Sequence, residues 1–194
     1  YPPQYNYLIQ YNKEGNFIKI IYINGYRGEN SSKPNKLSKL LGTKIEHLKL
    51  TFENNRINQE ELDNYFSQEA NEIDFIIGSS TGSYVGRHYA FKYNIPLISL
   101  NPVVDLEKTF SELHYDLKLS DEFKEVNNLS ISNLILLNKD DELLDYRRTF
   151  EIFSNHAQIV LFEKGGHRFS NLEDTEQHIK EFINYNINTD AKAE

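Results

Sequence analysis

Residues Gly78-Ser79-Ser80-Thr81-Gly82 match G-x-S-x-G, a pattern that presents a serine hydroxyl for attack on a carbonyl carbon. The glycines have a steric reason. The central serine must sit on a strained turn, and side chains two positions to either side would collide with the adjoining strand and helix. The helix that opens after the turn aims its first N–H groups at the place where negative charge develops. The context fits, because the β-rich run 73–77 precedes the motif and a helical pattern over 83–93 follows it. An ordinary glycine-rich turn would carry the same residue types, so the partners of the serine decide the matter. No G-x-x-x-x-G-K-[ST] occurs, which disfavours nucleotide binding at this turn.

A serine nucleophile needs a base and a carboxylate that orients it, and after such an elbow the chain order is serine, acid, histidine. Position selects among the six histidines. His47 lies in a strand upstream of the motif, His88 and His178 lie inside helical patterns, His114 is in an irregular stretch, and His156 precedes its strand. His167 alone follows a strand, in Lys164-Gly165-Gly166-His167, where two glycines permit a tight return toward Ser80. The acid has several candidates: Asp140, Asp141 and Glu142, with Asp145 a little further on, although helix capping also enriches carboxylates there. The donors for an oxyanion map to the backbone N–H of Thr81 and to the loop Asn24-Gly25-Tyr26-Arg27-Gly28, each donor of this kind being worth about 10²- to 10³-fold in rate.

The elements that must hold these loops alternate. Short apolar runs at 17–23, 45–50, 73–77, 95–100, 134–137 and 159–162 predict strands, and helical patterns at 36–41, 59–70, 83–93, 105–125 (broken), 143–153 and 172–184 predict the helices between them. Strand then helix, repeated, is the pattern of a parallel sheet covered on both faces. A further strand over 5–11 is expected to pair at an edge, and residues 188–194 are expected to fray. In such a sheet ligands collect at the carboxyl ends of the strands, which is where all the candidate residues fall.

Composition narrows the class. The chain has 194 residues with 21 basic and 29 acidic side chains, a formal net charge of −8 and no basic block, so nucleic acid is not an expected partner. No apolar run approaches the roughly 20 residues that span a bilayer. The absence of Cys excludes disulfides, a thiol nucleophile and thiolate metal sites. Met is absent even at position 1, so the natural start is expected to lie upstream.

Several blocks together resemble the small YqiA/YcfP-type esterases of the α/β-hydrolase superfamily. They are Ile21-Tyr22-Ile23-Asn24-Gly25-Tyr26, Ile77-Gly78-Ser79-Ser80-Thr81-Gly82, Ser99-Leu100-Asn101-Pro102, Asp141-Glu142-Leu143-Leu144-Asp145-Tyr146-Arg147 and Gly165-Gly166-His167-Arg168-Phe169. The resemblance runs from about residue 18 to 184. It implies one three-layer α/β-hydrolase domain over residues 1–194 with a mostly parallel sheet and a minimal lid. It also implies Ser80 as nucleophile, Asp141 as acid with Asp140 as the fallback, His167 as base, and the Tyr26 N–H beside that of Thr81 as oxyanion donor. The sequence departs from the family pattern at Asn24-Gly25, where His-Gly is usual, and at Ser83, which replaces a glycine.

The expectation is a cytoplasmic serine esterase, with no cofactor and no metal, that hydrolyses small or short-chain acyl esters or thioesters through an acyl-enzyme. Arg27, Tyr84, Pro102 and Val103 are expected to line the pocket, with Arg27 meeting an anionic group. Two other readings use the same residues: a catalytically silent binding protein on the same fold, and an acyltransferase.

Overall fold

The computed structural model describes residues 11, 12, 14–116, 123 and 131–189. The expected strand over 5–11 and the tail beyond Thr189 therefore lie largely outside the described residues, as does most of 113–130. The elements in chain order are β1 (Ile20–Ile23), α1 (Lys33–Leu41), β2 (Ile45–Leu48), β3 (Phe52–Glu53), β4 (Arg56–Ile57) and α2 (Gln59–Glu69). They continue with β5 (Phe75–Ser79), α3 (Thr81–Tyr93), β6 (Leu97–Leu100), α4 (Leu106–Glu112), β7 (Asn133–Asn138), α5 (Tyr146–Phe153), β8 (Gln158–Phe162) and α6 (Glu176–Asn188).

Six of these strands form one parallel sheet among the described residues, in the order β2-β1-β5-β6-β7-β8. The chain builds outward from β1 to β2, then returns to the other side of β1 and builds in the opposite direction. In parallel sheets such a reversal is where ligands bind, here at the carboxyl ends of β1 and β5. The strands are apolar almost throughout because both faces are covered. Ile21, Ile23 and Ile76 face one core with Val85, Tyr89 and Phe66 from α3 and α2, while Ile20, Tyr22, Phe75 and Ile77 face a second core with Leu37, Ile179 and Ile183 from α1 and α6. Alternate residues of one strand thus serve opposite cores, as the two-residue period of a strand requires.

Sequence and structure differ in three local ways. Residues 52–57, which lie in none of the expected strands, form β3 and β4, which pair antiparallel. Asn54 and Asn55 between them both have positive φ, 50° and 60°, the conformation a tight two-residue hairpin demands and asparagine tolerates. Helix α1 begins at Lys33, three residues before the expected start, with a proline in its first turn where a missing N–H costs nothing. The helical pattern from 143 starts only at Tyr146, because Asp145 caps α5 by accepting from the Arg147 N–H at 3.0 Å. No helix among the described residues is long and apolar enough to cross a membrane.

The core on the α2–α3 side is aromatic. Phe66 is fully buried and stacks on Tyr89 with ring centroids 4.1 Å apart and planes 6° from parallel. Phe66→Ala should therefore cost about 3–5 kcal/mol of stability, read as a lowered urea midpoint with an unchanged slope.

Candidate active site

Ser80 stands between the last residue of β5 and the first of α3, with φ 54° and ψ −118°. An L-residue adopts such a backbone only where its surroundings enforce it. They do so here through glycines. A Cβ on Gly78 would lie 2.5 Å from the Ser83 Cα, and one on Gly82 would overlap the Ile23 and Asn24 carbonyl oxygens at the end of β1. Gly25 lies under the same turn, where a Cβ would come within 3.2 Å of the Ser80 Cβ. The turn is held by hydrogen bonds from the Ser80 N–H to the Leu100 carbonyl at 2.9 Å and from the Val103 N–H to the Ser80 carbonyl at 3.2 Å. Ser83, the departure noted above, donates its hydroxyl to the Gly78 carbonyl at 2.6 Å and ties helix to strand from within.

The Ser80 Oγ lies 3.0 Å from the His167 Nε2, and the His167 Nδ1 lies 2.9 Å from Asp141 Oδ2 and 3.1 Å from Oδ1. The Asp141 side chain is almost wholly buried, 2% exposed, and that of His167 is 16% exposed. Asp141 Oδ1 also accepts from the Leu143 and Leu144 N–H groups at 2.8 and 2.9 Å, which fixes the carboxylate before the imidazole meets it. The four acidic candidates are thus separated by what they touch. Asp140 accepts from the Gly166 N–H at 2.8 Å, Glu142 from the His167 N–H at 2.9 Å, and Asp145 caps α5.

Sequence reasoning did not single out two asparagines that complete the histidine loop. The Asn101 Nδ2 donates to the Gly166 carbonyl at 3.0 Å and to the His167 carbonyl at 3.2 Å, while the Asn138 Nδ2 donates to the Gly166 carbonyl at 3.0 Å. The Asn101 Oδ1 accepts from the Asn138 N–H at 2.9 Å, locking the pair together. Every backbone N–H and C=O of Gly166 and His167 is therefore bonded by a side chain from the ends of β6 and β7. The N–H groups of Gly166 and His167 hold the Asp140 and Glu142 carboxyls below their ordinary range. These bonds persist above the usual carboxylate range and are lost only as pH falls through the lowered values. The signal in the sequence was a polar residue ending each of two apolar strands, Asn101 after β6 and Asn138 in β7.

At the other lip, Asn24 is fully buried. Its Oδ1 accepts from the Leu50 N–H at 2.9 Å and lies 2.9 Å from the His47 Nε2, and its Nδ2 donates to the Leu50 and Gly25 carbonyls at 2.9 and 2.8 Å. An asparagine in place of histidine thus fastens the loop after β1 to the chain after β2. Tyr26 enters an aromatic cluster with Phe52, Phe110 and Tyr115, at centroid distances of 4.8, 5.2 and 5.0 Å. Thr81 is the first residue of α3, so its N–H belongs to the turn whose donors have no partner within the helix.

Of the expected pocket residues, Arg27 is exposed and lies over the Tyr26 ring, 5.0 Å from its centroid. Tyr84, Pro102 and Val103 are buried, and the Tyr84 hydroxyl donates to the Phe123 carbonyl. Beside the elbow, the Lys33 Nζ donates to the Ser79 Oγ at 3.2 Å. Burial, then the charges of Arg168 and Lys36, push the Lys33 ammonium down to about 8.

A parallel sheet that reverses between β1 and β5, with a strained serine at the reversal, defines an α/β-hydrolase fold, and solved structures agree. Est1E from Butyrivibrio proteoclasticus with ferulic acid bound superposes with a TM-score of 0.68 at 16% identity, covering 92% of this chain and 94% of that one. A protein from Xanthomonas campestris described as an α/β serine hydrolase without a lid gives 0.58 at 15% identity, covering 87% and 83%. At these identities the likeness is one of fold. The chain belongs to the Uncharacterised protein family (UPF0227), whose profile matches residues 19–184. A UPF0227 protein of Yersinia enterocolitica is 28% identical over 130 residues, 63% of this chain and 71% of that protein.

Gly82→Ala tests the close approach of α3 to β1. The added methyl must push the helix off the Ile23 and Asn24 carbonyls, so a loss of about 1–3 kcal/mol or more is expected in a urea titration. Gly86→Ala, where a Cβ would meet side-chain methyls of Ile76, Leu97 and Ile23 at 3.2, 3.4 and 3.6 Å and no backbone atom so closely, should be milder.

Proposed function

We propose that this protein is a serine hydrolase that cleaves small acyl esters through an acyl-enzyme. The observation that carries the reading is the unbroken chain of contacts from Ser80 Oγ through His167 to the buried carboxylate of Asp141. The fold neighbour described as a serine hydrolase supports the same class.

In this mechanism the Ser80 Oγ attacks the ester carbonyl carbon while its proton passes to the His167 Nε2. Asp141, accepting from Nδ1–H, keeps Nε2 free to take that proton and stabilises the imidazolium that results. The carbonyl oxygen, now an oxyanion, is taken by the N–H groups of Tyr26 and Thr81. The C–O bond to the leaving group breaks as His167 returns the proton to it, giving an acyl-serine and free alcohol. Water then repeats the sequence, with His167 as base, and releases the acid and Ser80.

Packing supports a short acyl group. Tyr84, Pro102 and Val103, which a deep pocket would expose, are spent on the core. The Tyr26, Phe52, Phe110 and Tyr115 rings offer an apolar wall beside the loop after β1.

A fluorophosphonate probe and p-nitrophenyl esters from acetate to octanoate test the reading. Wild type should be labelled and should prefer the shorter esters, and Ser80→Ala should lose both labelling and turnover. Labelling that survives Ser80→Ala would remove Ser80 from the mechanism, and an unlabelled, inert wild type would favour a silent binding protein. Asp141→Asn, which preserves shape but supports the wrong imidazole tautomer, should lower kcat about 10³- to 10⁴-fold. Glu142→Ala, which frees the His167 N–H, should lower kcat by about 10- to 10²-fold with KM little changed, and Glu142→Gln, which keeps an acceptor, should recover most of it.

A further inference from the structure

The mechanism above makes no use of Lys33, yet this lysine is held beside the elbow. It opens α1, where a positive charge opposes the helix dipole, and the first turn of that helix carries no acidic residue. Its Nζ reaches inward to the hydroxyl of Ser79, the neighbour of Ser80. Tyr22 in β1 is 1% exposed, and burial raises the pKa of its hydroxyl against the opposing pull of the Ser79 and Ser31 hydroxyls. The charged groups that Lys33 faces are both cations: Arg168, which follows His167, and Lys36 on its own helix. No carboxylate among the described residues forms an ion pair with Lys33 or Arg168.

A half-buried ammonium with like-charged neighbours and only hydroxyl partners is costly, and the cost is unexplained by folding alone. It is also unexpected in a chain of net charge −8, where carboxylates are plentiful. The two cations border the two reacting residues in sequence, Lys33 through Ser79 next to Ser80 and Arg168 next to His167. An anion set between them would relieve both, and the ester substrate can supply one.

We propose that Lys33 and Arg168 form a subsite for an anionic group, a carboxylate or a phosphate, carried by the ester substrate, with Ser79 fixing the lysine. This rests on the reading of Ser80 as nucleophile. The subsite makes the protein selective for charged small esters over neutral ones of equal size. Because Lys33 loses its charge above a pKa of about 8, selectivity is full at lower pH and falls as pH rises through that value. Burial pushes the Tyr22 hydroxyl above its ordinary range, so it stays neutral over the same interval.

Matched substrates read this directly. On the alcohol side, 4-acetoxybenzoate and 4-acetoxyphenyl phosphate are compared with 4-acetoxybenzamide. On the acyl side, 4-nitrophenyl hydrogen adipate is compared with 4-nitrophenyl hexanoate. Wild type at pH 7 should give a ratio of kcat/KM, anionic over neutral, of about tenfold or more on one side. The larger of the carboxylate and phosphate ratios identifies the group. Lys33→Met should bring the ratio toward one, and Arg168→Gln, at an exposed position that does not endanger folding, should lower it severalfold. Between pH 7 and 9 the wild-type ratio should fall, whereas Lys33→Arg should hold it steady. A wild-type ratio at or below one on both sides, or a ratio that neither Lys33→Met nor Arg168→Gln moves, overturns the subsite while leaving the nucleophile standing. A wild type inert toward every ester and unlabelled by fluorophosphonate overturns both.

Discussion

The site depends on how closely one helix can approach one strand. Helix α3 begins against the carbonyls that end β1, at a separation no side chain on Gly82 would permit. That approach fixes the direction in which the chain leaves β5, and so the positive φ of Ser80 and the projection of its hydroxyl over the sheet. It also brings Gly25 beneath the turn, so the loop after β1 and the first turn of α3 converge on one point. Strain at the serine is thereby maintained by packing at residues that take no part in chemistry.

The second half of the site is organised by polar side chains at strand ends. Three consecutive acidic residues, Asp140, Asp141 and Glu142, divide their work by direction: two hold the backbone of the histidine loop and the third meets the imidazole. Asn101 and Asn138 complete the hold from the carbonyl side. A short glycine-rich loop would otherwise sample many conformations, and its rigidity comes from these bonds more than from apolar burial.

Much of this was legible in the sequence, because the strand run, the G-x-S-x-G turn and the helix that follows agree on one local geometry. The parallel six-strand sheet followed from alternating apolar runs, and His167 from its place after the last of them. The choice among Asp140, Asp141, Glu142 and Asp145 was not legible from spacing, since adjacent carboxylates differ only in where a folded loop points them; there the family resemblance supplied Asp141. The hairpin at Asn54-Asn55 was written in its turn residues, and the short β3 and β4 runs beside it were too brief to register as strands. Asn101 and Asn138 looked like ordinary strand terminators because their partners lie far along the chain. Lys33 was invisible for a related reason: a lysine in a first turn reads as solvated until the hydroxyl it reaches is known.

The histidine loop carries a consequence for how the protein acquires its function. Ser80 and His167 are 87 positions apart, and the bonds that orient the imidazole require Asn138, the last residue of β7, to be seated beside Asn101. A slip of one residue between β6 and β7 would turn Asn138 to the opposite face and remove its hold on the Gly166 carbonyl. A collapsed chain with all its helices formed, but with that single pairing displaced, would be compact and lack part of the framework that holds the His167 imidazole. On the proposed serine-hydrolase reading, regain of turnover during refolding would therefore report the registration of two central strands, a narrower event than the recovery of secondary structure.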